Sequence, residues 1–336
     1  MNILKDDIMK VNLQRFITNP KTNEGVCIAC RNQTELTEEH IFPQNVHGKI
    51  KPFVLCKKCN SEFGEKIDAA FRNSITTRLS GFQKCCIDDI STALAGVKGK
   101  LQNGPELVLS RQTPGEVLVR QSVSVEDTAN GKVFKAIFPV EADDRRIEGK
   151  LKQVVSENFS GTYDGDALKN LTETIVKRGL GSKNIVRSDA LIEIDVPLMD
   201  EAFAIALEYC KIAYEVSALT FTDKYLDSKT AIELRDILKT TNGERALAYV
   251  SRIHGEAVLD QFNERLSKRA HWAVVLGCYA YVSVWGNLMT VLVSDATSGF
   301  SVETTTTNAQ FFISPYEKEI PYRICDLESL MDWLGL

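Results

Sequence analysis

Two identical cysteine pairs constrain the fold of this chain more than any other feature of its sequence. Cys27 and Cys30 form one CxxC pair, and Cys56 and Cys59 form the second. Four thiolates in two such pairs complete a tetrahedral Zn²⁺ site with no open coordination position, so the predicted ion is structural. The alternative is chance burial of four cysteines, and the identical spacing of both pairs argues against it.

The other cysteines point to a reducing compartment. The chain has nine cysteines, and those outside the two pairs are scattered, including the adjacent Cys85 and Cys86, which we expect in a buried core. A reducing cytosol disfavours disulfide bonds, so two CxxC pairs with the other cysteines scattered indicate metal-bound thiolates rather than a disulfide framework. The first residues lack the apolar run of a secretory signal. We therefore expect a cytoplasmic protein.

Charge is distributed unevenly along the chain. Residues 1–86 hold 13 Lys/Arg and 9 Asp/Glu, a net of +4, whereas the whole chain of 336 residues has a net charge of −5, so the remainder carries −9. This balance argues against a protein coated with basic residues for non-specific nucleic-acid binding. A modestly basic N-terminal module could still approach phosphates, provided that the acidic groups of the remainder face elsewhere.

Strand-like and helix-like periodicities in different segments of the sequence predict an α+β protein. We expect a leader over residues 1–22, a small cysteine module over residues 23–92, and a larger α+β domain over residues 97–336. Within the module, residues 61–79 have the period of a helix with Phe63, Ile67 and Phe71 on one face.

Two segments of the larger domain carry specific predictions. Residues 201–219 should form a largely buried helix whose charges fall on one stripe. That stripe consists of Glu201, Glu208, Lys211 and Glu215. Residues 271–294 contain no charged residue, but their composition and the Gly286-Asn287 turn predict two buried strands rather than a membrane span. A C-terminal helix should begin at Leu327.

The chemically informative motif lies between and just after the cysteine pairs. It reads Glu39-His40-Ile41-Phe42-Pro43, then Cys56-Lys57-Lys58-Cys59-Asn60, and continues through Phe63-Gly64 to Asp68. This pattern resembles the HNH (ββα-metal) endonuclease family, in the subgroup with CxxC, EHIxP and CxxCNxxFG elements. The resemblance covers the chain from about residue 24 to residue 71. It implies a treble-clef-like ββα-metal module stapled by structural zinc.

The resemblance also assigns roles to three residues. His40 corresponds to the general base, which suits an imidazole that titrates near neutral pH. Glu39 corresponds to the first metal ligand and Asn60 to the second, and their oxygen atoms suit catalytic Mg²⁺ or Mn²⁺. The family's usual products carry 5′-phosphate and 3′-hydroxyl ends.

One position departs from the family pattern. The middle Asn of the motif is replaced by Lys51, so the loop of His40 must be held in another way, and Asn45 is a candidate substitute. Phosphate contacts are expected from four lysines. They are Lys49, Lys51, Lys57 and Lys58.

Simpler interpretations exist for several of these residues. Asn60 could merely cap a helix that begins at Asn60 or Ser61. His47 is expected in a loop, His254 at a helix C-terminus, and His271 in a structural position at the start of the uncharged segment.

These observations predict an HNH endonuclease that cuts nucleic acid, with DNA favoured over RNA and RNA left open, and without a membrane partner. Residues 97–336 would then target or regulate the nuclease, through dimerisation of the chain or through an activating partner or ligand. A role in microbial or phage defence follows by analogy alone. The alternative is a catalytically weak, zinc-stabilised nucleic-acid-binding or signalling protein.

Overall fold

The structure is a computed structural model of the chain. It describes residues 13–84, 90–101, 106–110, 112, 117–119, 122–128, 131–138, 143–163, 165–181, 192–194, 196–251, 257–294 and 309–335. The predictions for Cys85, Cys86 and His254 lie outside these residues. The chain folds into two compact units, one formed by residues before 89 together with residues after 196, and the other by residues 89–196.

This division differs from the linear one into residues 23–92 and 97–336 that the sequence suggested. The difference arises because residues far apart in the chain share one hydrophobic core. That core combines Ile28, Ile41 and Phe63 of the cysteine module with Tyr214 and Val282 of the C-terminal part. Burial of apolar surface between these segments therefore joins them into one unit.

The first part of this unit is a small antiparallel sheet followed by short helices. Its strands pair in the order β1-β2-β3-β4. The elements are β1 Ile17–Asn19, β2 Glu24–Val26, β3 Gln33–Glu38, β4 Phe53–Cys56, α1 Lys57–Phe63, α2 Ala69–Asn73 and α3 Ile75–Gln83. A π-helical segment, Gly64–Asp68, connects α1 to α2. Two strands followed by a helix give the ββα arrangement that the sequence predicted.

The helical region begins earlier and is less continuous than the sequence suggested. Helix α1 starts at Lys57 because Cys56 is its N-cap, with Cys59 N donating to Cys56 Sγ over 3.5 Å. The predicted start at Asn60 or Ser61 was therefore wrong. Ser74 adopts an extended ψ of 128° and separates α2 from α3. Phe63, Ile67 and Phe71, which the sequence placed on one helical face, are all buried.

The second part of the same unit contains one long helix and a larger sheet. The helices and strands are α7 Leu198–Phe221, α8 Asp223–Leu226, α9 Lys229–Thr240, α10 Gly243–Leu247, β11 Val250–Ser251, α11 Ala257–Leu266, β12 Ala270–Leu276, β13 Tyr279–Val284, β14 Asn287–Leu292, β15 Phe311–Pro315, β16 Arg323–Cys325 and α12 Leu327–Leu334. The six strands are antiparallel in the order β11-β14-β13-β12-β15-β16.

The uncharged segment forms strands, as predicted, but there are three of them. The turn at Gly286-Asn287 joins β13 to β14, and a second turn between β12 and β13 contains Gly277 at φ 55°. That turn lacks the Asn-Gly or Asp-Gly pair that marks a hairpin in a sequence. The sequence pattern therefore predicted a single strand where the structure has β12 and β13. In the part of the chain that the structure covers, no helix is long and apolar enough to cross a bilayer.

The other unit, residues 89–196, contains a small sheet, a hairpin and two longer helices. Its elements are α4 Ile90–Ala93, β5 Lys98–Leu101, β6 Glu106–Leu109, β7 Val117–Val119, β8 Ser122–Thr128, β9 Gly131–Ile137, α5 Asp144–Phe159, α6 Gly165–Gly181 and β10 Ile192–Ile194. The sheet runs β10-β5-β6-β7, and β8 pairs with β9 in a separate two-stranded sheet. Ile147, Leu151 and Val176 pack α5 against α6.

Candidate active site and metal centre

The four cysteines of the two CxxC pairs meet at one point. The sulfur atoms of Cys27, Cys30, Cys56 and Cys59 all lie within 4.8 Å of one another, and the Cys30 and Cys56 Sγ atoms are 3.9 Å apart. Tetrahedral thiolates at a metal distance of about 2.3 Å would be roughly 3.8 Å apart. The cluster can therefore hold a metal ion, and its spacing and donor chemistry fit Zn²⁺.

Local backbone geometry brings these thiols together. The first pair lies in a tight knuckle in which Arg31 adopts φ 62° and its N–H donates to Cys27 O over 2.8 Å. The second pair lies where β4 runs into α1. Burial raises the pKa of the Cys27 thiol to about 11, so a bound cation would be needed to keep this thiolate at neutral pH.

A separate cleft contains the three residues predicted to be catalytic. Its volume is about 290 Å³, and Glu39, His40 and Asn60 all line it. The remaining lining residues are Gln44, Asn45, Gly64, Asp68 and Arg72. The end of β3 supplies Glu39 and His40, while α1 supplies Asn60. The ββα arrangement thus brings together side chains that are about 20 positions apart in sequence.

His40 has the electrostatic environment of a base. It is half-buried, and burial together with the positive charges of Lys51 and Lys211 lowers the pKa of its imidazole. A lowered pKa leaves the ring neutral at physiological pH, with one nitrogen free to accept a proton. Lys51, which replaces the family's middle Asn, therefore acts on His40 through its charge.

Asn60 is held by its amide nitrogen. Nδ2 donates to Thr37 Oγ1 over 2.9 Å and to the Glu38 carbonyl over 2.8 Å, both at the end of β3. Cys56 is the cap of α1, so the interpretation of Asn60 as a helix cap is wrong. These two bonds fix the side chain while its oxygen remains available for a cation, because separate atoms perform the two tasks.

Glu39 is held by a residue from far along the chain. Its side chain is 3% exposed, and its Oε1 lies 2.6 Å from Nζ of Lys211, a fully buried residue of α7. Burial raises the pKa of Glu39, and the adjacent Lys211 opposes that rise. The same ammonium lies 2.7 Å from Asp68 Oδ1 and 3.4 Å from the His40 carbonyl oxygen.

Two classes of contact hold the loop between β3 and β4. Within the loop, Ile41 N donates to Ile50 O over 3.1 Å, and Gly48 approaches Phe42 so closely that an added Cβ would lie 1.6 Å from the Phe42 carbonyl oxygen. From the C-terminal sheet, Ser314 Oγ accepts a bond from Lys49 N over 3.0 Å.

His271 completes this attachment of the loop. Its Nδ1 accepts from Trp285 N over 3.2 Å, so its Nε2 carries the proton and donates to the Val46 carbonyl of the loop. The ring is fully buried, and this burial lowers its pKa to about 3. His271 is thus a buried neutral residue, consistent with the predicted structural position. The loop is held from the C-terminal sheet, whereas Asn45, the substitute suggested from sequence, lines the cleft.

The four lysines predicted to contact phosphates differ in their surroundings. Lys49 directs its ammonium to main-chain carbonyls, with 2.6 Å to Ile320 O and a second bond to Glu317 O. Lys51 lines a second surface depression and not the cleft itself. Lys57 and Lys58 are exposed on the first turn of α1.

Three residues in or next to the cleft had no role in the sequence analysis. Asp68 was recognised only as the end of the motif, and Arg72 follows it by four positions, which places both on one helical face. That spacing could have identified Arg72. Lys211 gave no such signal, because nothing in its local sequence indicates that α7 packs on the module.

The oxygen atoms of the cleft fit a hard divalent cation. A Glu39 carboxylate and an Asn60 amide oxygen line the same space, and Mg²⁺ or Mn²⁺ prefers such donors with several positions left for water and substrate.

Comparison with known proteins agrees with the motif. Residues 27–76 match the family model described as HNH endonuclease, and this match confirms the resemblance noted from the sequence. No curated protein and no solved structure is significantly similar to the chain.

Proposed function

We propose that this chain is a metal-dependent HNH endonuclease that hydrolyses phosphodiester bonds in nucleic acid, with DNA as the first substrate to test. The observation that carries the proposal is the convergence of Glu39, His40 and Asn60 on one cleft inside the segment that matches the HNH model. A carboxylate, a neutral imidazole and an amide oxygen are the groups that a one-metal phosphodiesterase needs.

Each residue has a distinct task in this proposal. His40 takes the proton from the attacking water, which its lowered pKa permits because the ring is neutral at pH 7. Glu39 and Asn60 hold Mg²⁺ or Mn²⁺, which when bound neutralises the charge that grows on the phosphoryl oxygens. Arg72, exposed at the edge of the cleft, contributes a forked set of donors for a phosphate.

The cysteine cluster has a structural task. We propose that it binds Zn²⁺, because four thiolates leave no position for a substrate. Lys51, Lys57 and Lys58 are proposed as flanking phosphate contacts, whereas the bonds of Lys49 to main-chain carbonyls favour a structural role. Dimerisation, an activating ligand and a role in defence stay predictions.

The test compares wild-type protein with His40→Ala on supercoiled plasmid and on single-stranded RNA. We expect nicking only when Mg²⁺ or Mn²⁺ is present, and a loss of about 100-fold or more in His40→Ala, since removing a general base typically costs that much. His47→Asn is the matched control, because His47 belongs to the same loop at φ 67° and Asn tolerates that conformation.

Chelation needs a separate control. EDTA can remove both ions, so each chelated sample is assayed again after Zn²⁺ alone and after Zn²⁺ with Mg²⁺. Nicking that persists unchanged in His40→Ala, or that returns with Zn²⁺ alone, contradicts the mechanism.

One observation favours the alternative of a nucleic-acid-binding protein that does not cut. Glu39 Oε1 is already paired with Lys211, which reduces the charge that Glu39 offers to a divalent ion. Tight binding of plasmid without cleavage in either metal would support this alternative.

A further inference from the structure

The charged stripe of α7 is buried. Glu208, Lys211 and Glu215 each have no exposed surface, and their spacings of three and four residues place them on one face of the helix. Of the charges on this stripe, Glu201 alone is partly exposed, and it binds the start of α3. Helices normally expose such a face, so burial of three ionisable side chains requires a compensating partner.

The partner is the nuclease cleft. Lys211 Nζ lies between two carboxylates of the HNH module, 2.6 Å from Glu39 Oε1 and 2.7 Å from Asp68 Oδ1. Lys211 belongs to neither the matched segment nor the sequence around it. One ammonium is thus in direct contact with a predicted metal ligand and with a second acidic residue of the same cleft.

More acidic side chains lie near this ammonium than its single positive charge can pair with. Both carboxyl oxygens of Glu215 are buried without a hydrogen-bond partner among the described residues, and those of Glu208 are buried close to Asp68. Burial raises the pKa of each of these two acids well above its usual value, and the Asp68 and Glu39 carboxylates raise it further. Four carboxyl groups therefore surround a single buried ammonium.

The space at the Lys211 ammonium has the surroundings of a cation site. Oxygen atoms from two carboxylates approach it closely, and hard divalent cations are bound by the same kind of donor. A lysine there supplies a positive charge that cannot leave and that blocks the position for other cations.

We propose that Lys211 is a positioning residue of the nuclease centre. Its ammonium fills the deep cation position between Glu39 and Asp68, and so keeps the catalytic divalent ion on the cleft side, at Glu39 and Asn60. This inference rests on the proposed function of the cleft.

Two opposite effects follow for Lys211→Met, which keeps the length of the side chain and removes its charge. Mn²⁺ should bind tighter, by about tenfold or more, because the repelling ammonium is gone and two carboxylates are released. Cutting should become slower by about 100-fold, because the ion and Glu39 are no longer held in the productive position. If Lys211 had only a structural role, Lys211→Met would bind Mn²⁺ more weakly and would also cut more slowly.

The experiment measures Mn²⁺ binding by electron paramagnetic resonance and plasmid nicking on the same full-length samples. Lys239→Met, on the exposed end of α9, is the matched control and should change neither value. If Lys211→Met does not fold, the triple variant Lys211→Met, Glu208→Gln and Glu215→Gln replaces it, because it removes the acids that would be left without a cation. Circular dichroism and zinc content confirm folding in each case.

The outcomes separate the two proposals. Tighter Mn²⁺ binding with slower nicking supports the inference, whereas unchanged or weaker Mn²⁺ binding in a folded variant overturns it. If the wild-type protein binds Mn²⁺ but cuts nothing, the proposed function fails, and the Mn²⁺ affinities of wild type and variant still decide whether Lys211 fills a cation position.

Discussion

The cysteine cluster and the cleft both lie within residues 27–76, the segment that matches the HNH family model, but they depend on the rest of the chain to different degrees. All four thiols of the cluster come from residues 27–59, and turns in that segment bring them together. The cleft also uses local residues, yet Lys211 of α7 holds Glu39, and the C-terminal sheet holds the loop after His40. The four cysteines of the cluster are therefore encoded locally, but α7 also supports the first knuckle, because Tyr214 Oη donates to the Ile28 carbonyl over 2.7 Å.

We expect the strongest effect at the cysteine cluster, whose ligands all come from one short segment. Cys59→Ser removes one of four thiolates, and we expect loss of the bound Zn²⁺ and of cooperative folding, because the binding free energy of structural zinc, on the order of 10 kcal/mol, is part of the folding free energy. Zinc content and thermal melting measure this. The control is Cys278→Ser, since Cys278 lies outside the cluster. A Cys59→Ser protein that melts like wild type would refute a structural metal.

An intermediate effect tests the attachment of the loop to the C-terminal sheet. The pKa of His271 is about 3 in the folded protein, against about 6.5 when unfolded. Because the folded value is the lower one, the unfolded state takes up the proton first as the pH falls. The stability due to neutral His271 is therefore complete above pH 6.5 and is lost progressively between pH 6.5 and 3.

We expect this residue to lower the free energy of unfolding by about 2 kcal/mol between pH 7 and pH 5. Urea unfolding of wild type and His271→Gln at both pH values measures it. The variant should lose less stability than wild type over that interval. Equal losses in the two proteins would mean that His271 is not held neutral in the fold.

The smallest effect tests the contact of α7 with the helices of the module. Glu201 accepts bonds from Ser74 Oγ, Ile75 N and Thr76 N at 2.6, 2.9 and 3.0 Å, and so caps α3 from another helix. Partial burial raises the pKa of Glu201, but these bonds outweigh it and leave the pKa below its usual value.

Glu201→Gln should reduce the free energy of unfolding by about 1 kcal/mol, the usual value for a lost helix cap. Chemical denaturation checks this, with Glu264→Gln on the exposed face of α11 as control. We expect zinc content to stay unchanged in both variants. A loss of zinc in Glu201→Gln would show that zinc binding requires the Glu201 contact of α7 as well as the four cysteines, and the contrast between the two regions would fail.

Sequence patterns alone determined the parts of this protein that depend on short spacings. Two CxxC pairs predicted the cysteine cluster, and the motif around His40 and Asn60 predicted the family and three residues that line the cleft. Periodicity predicted the long buried helix α7 and the buried strands around Gly286. Each of these features follows from a short motif or from periodicity along one element, whose local geometry the backbone fixes.

Tertiary structure decided what surrounds the cleft. The charges of α7 looked like a stripe on an otherwise apolar helix, and only packing revealed that Lys211 contacts Glu39 and Asp68, both far away in the sequence. It also revealed that His271 and Ser314 hold the loop in which Lys51 occupies the position of the motif's middle Asn. The reason is physical: a buried ion pair or hydrogen bond is specified by two partners at once, and neither partner's local sequence records the other.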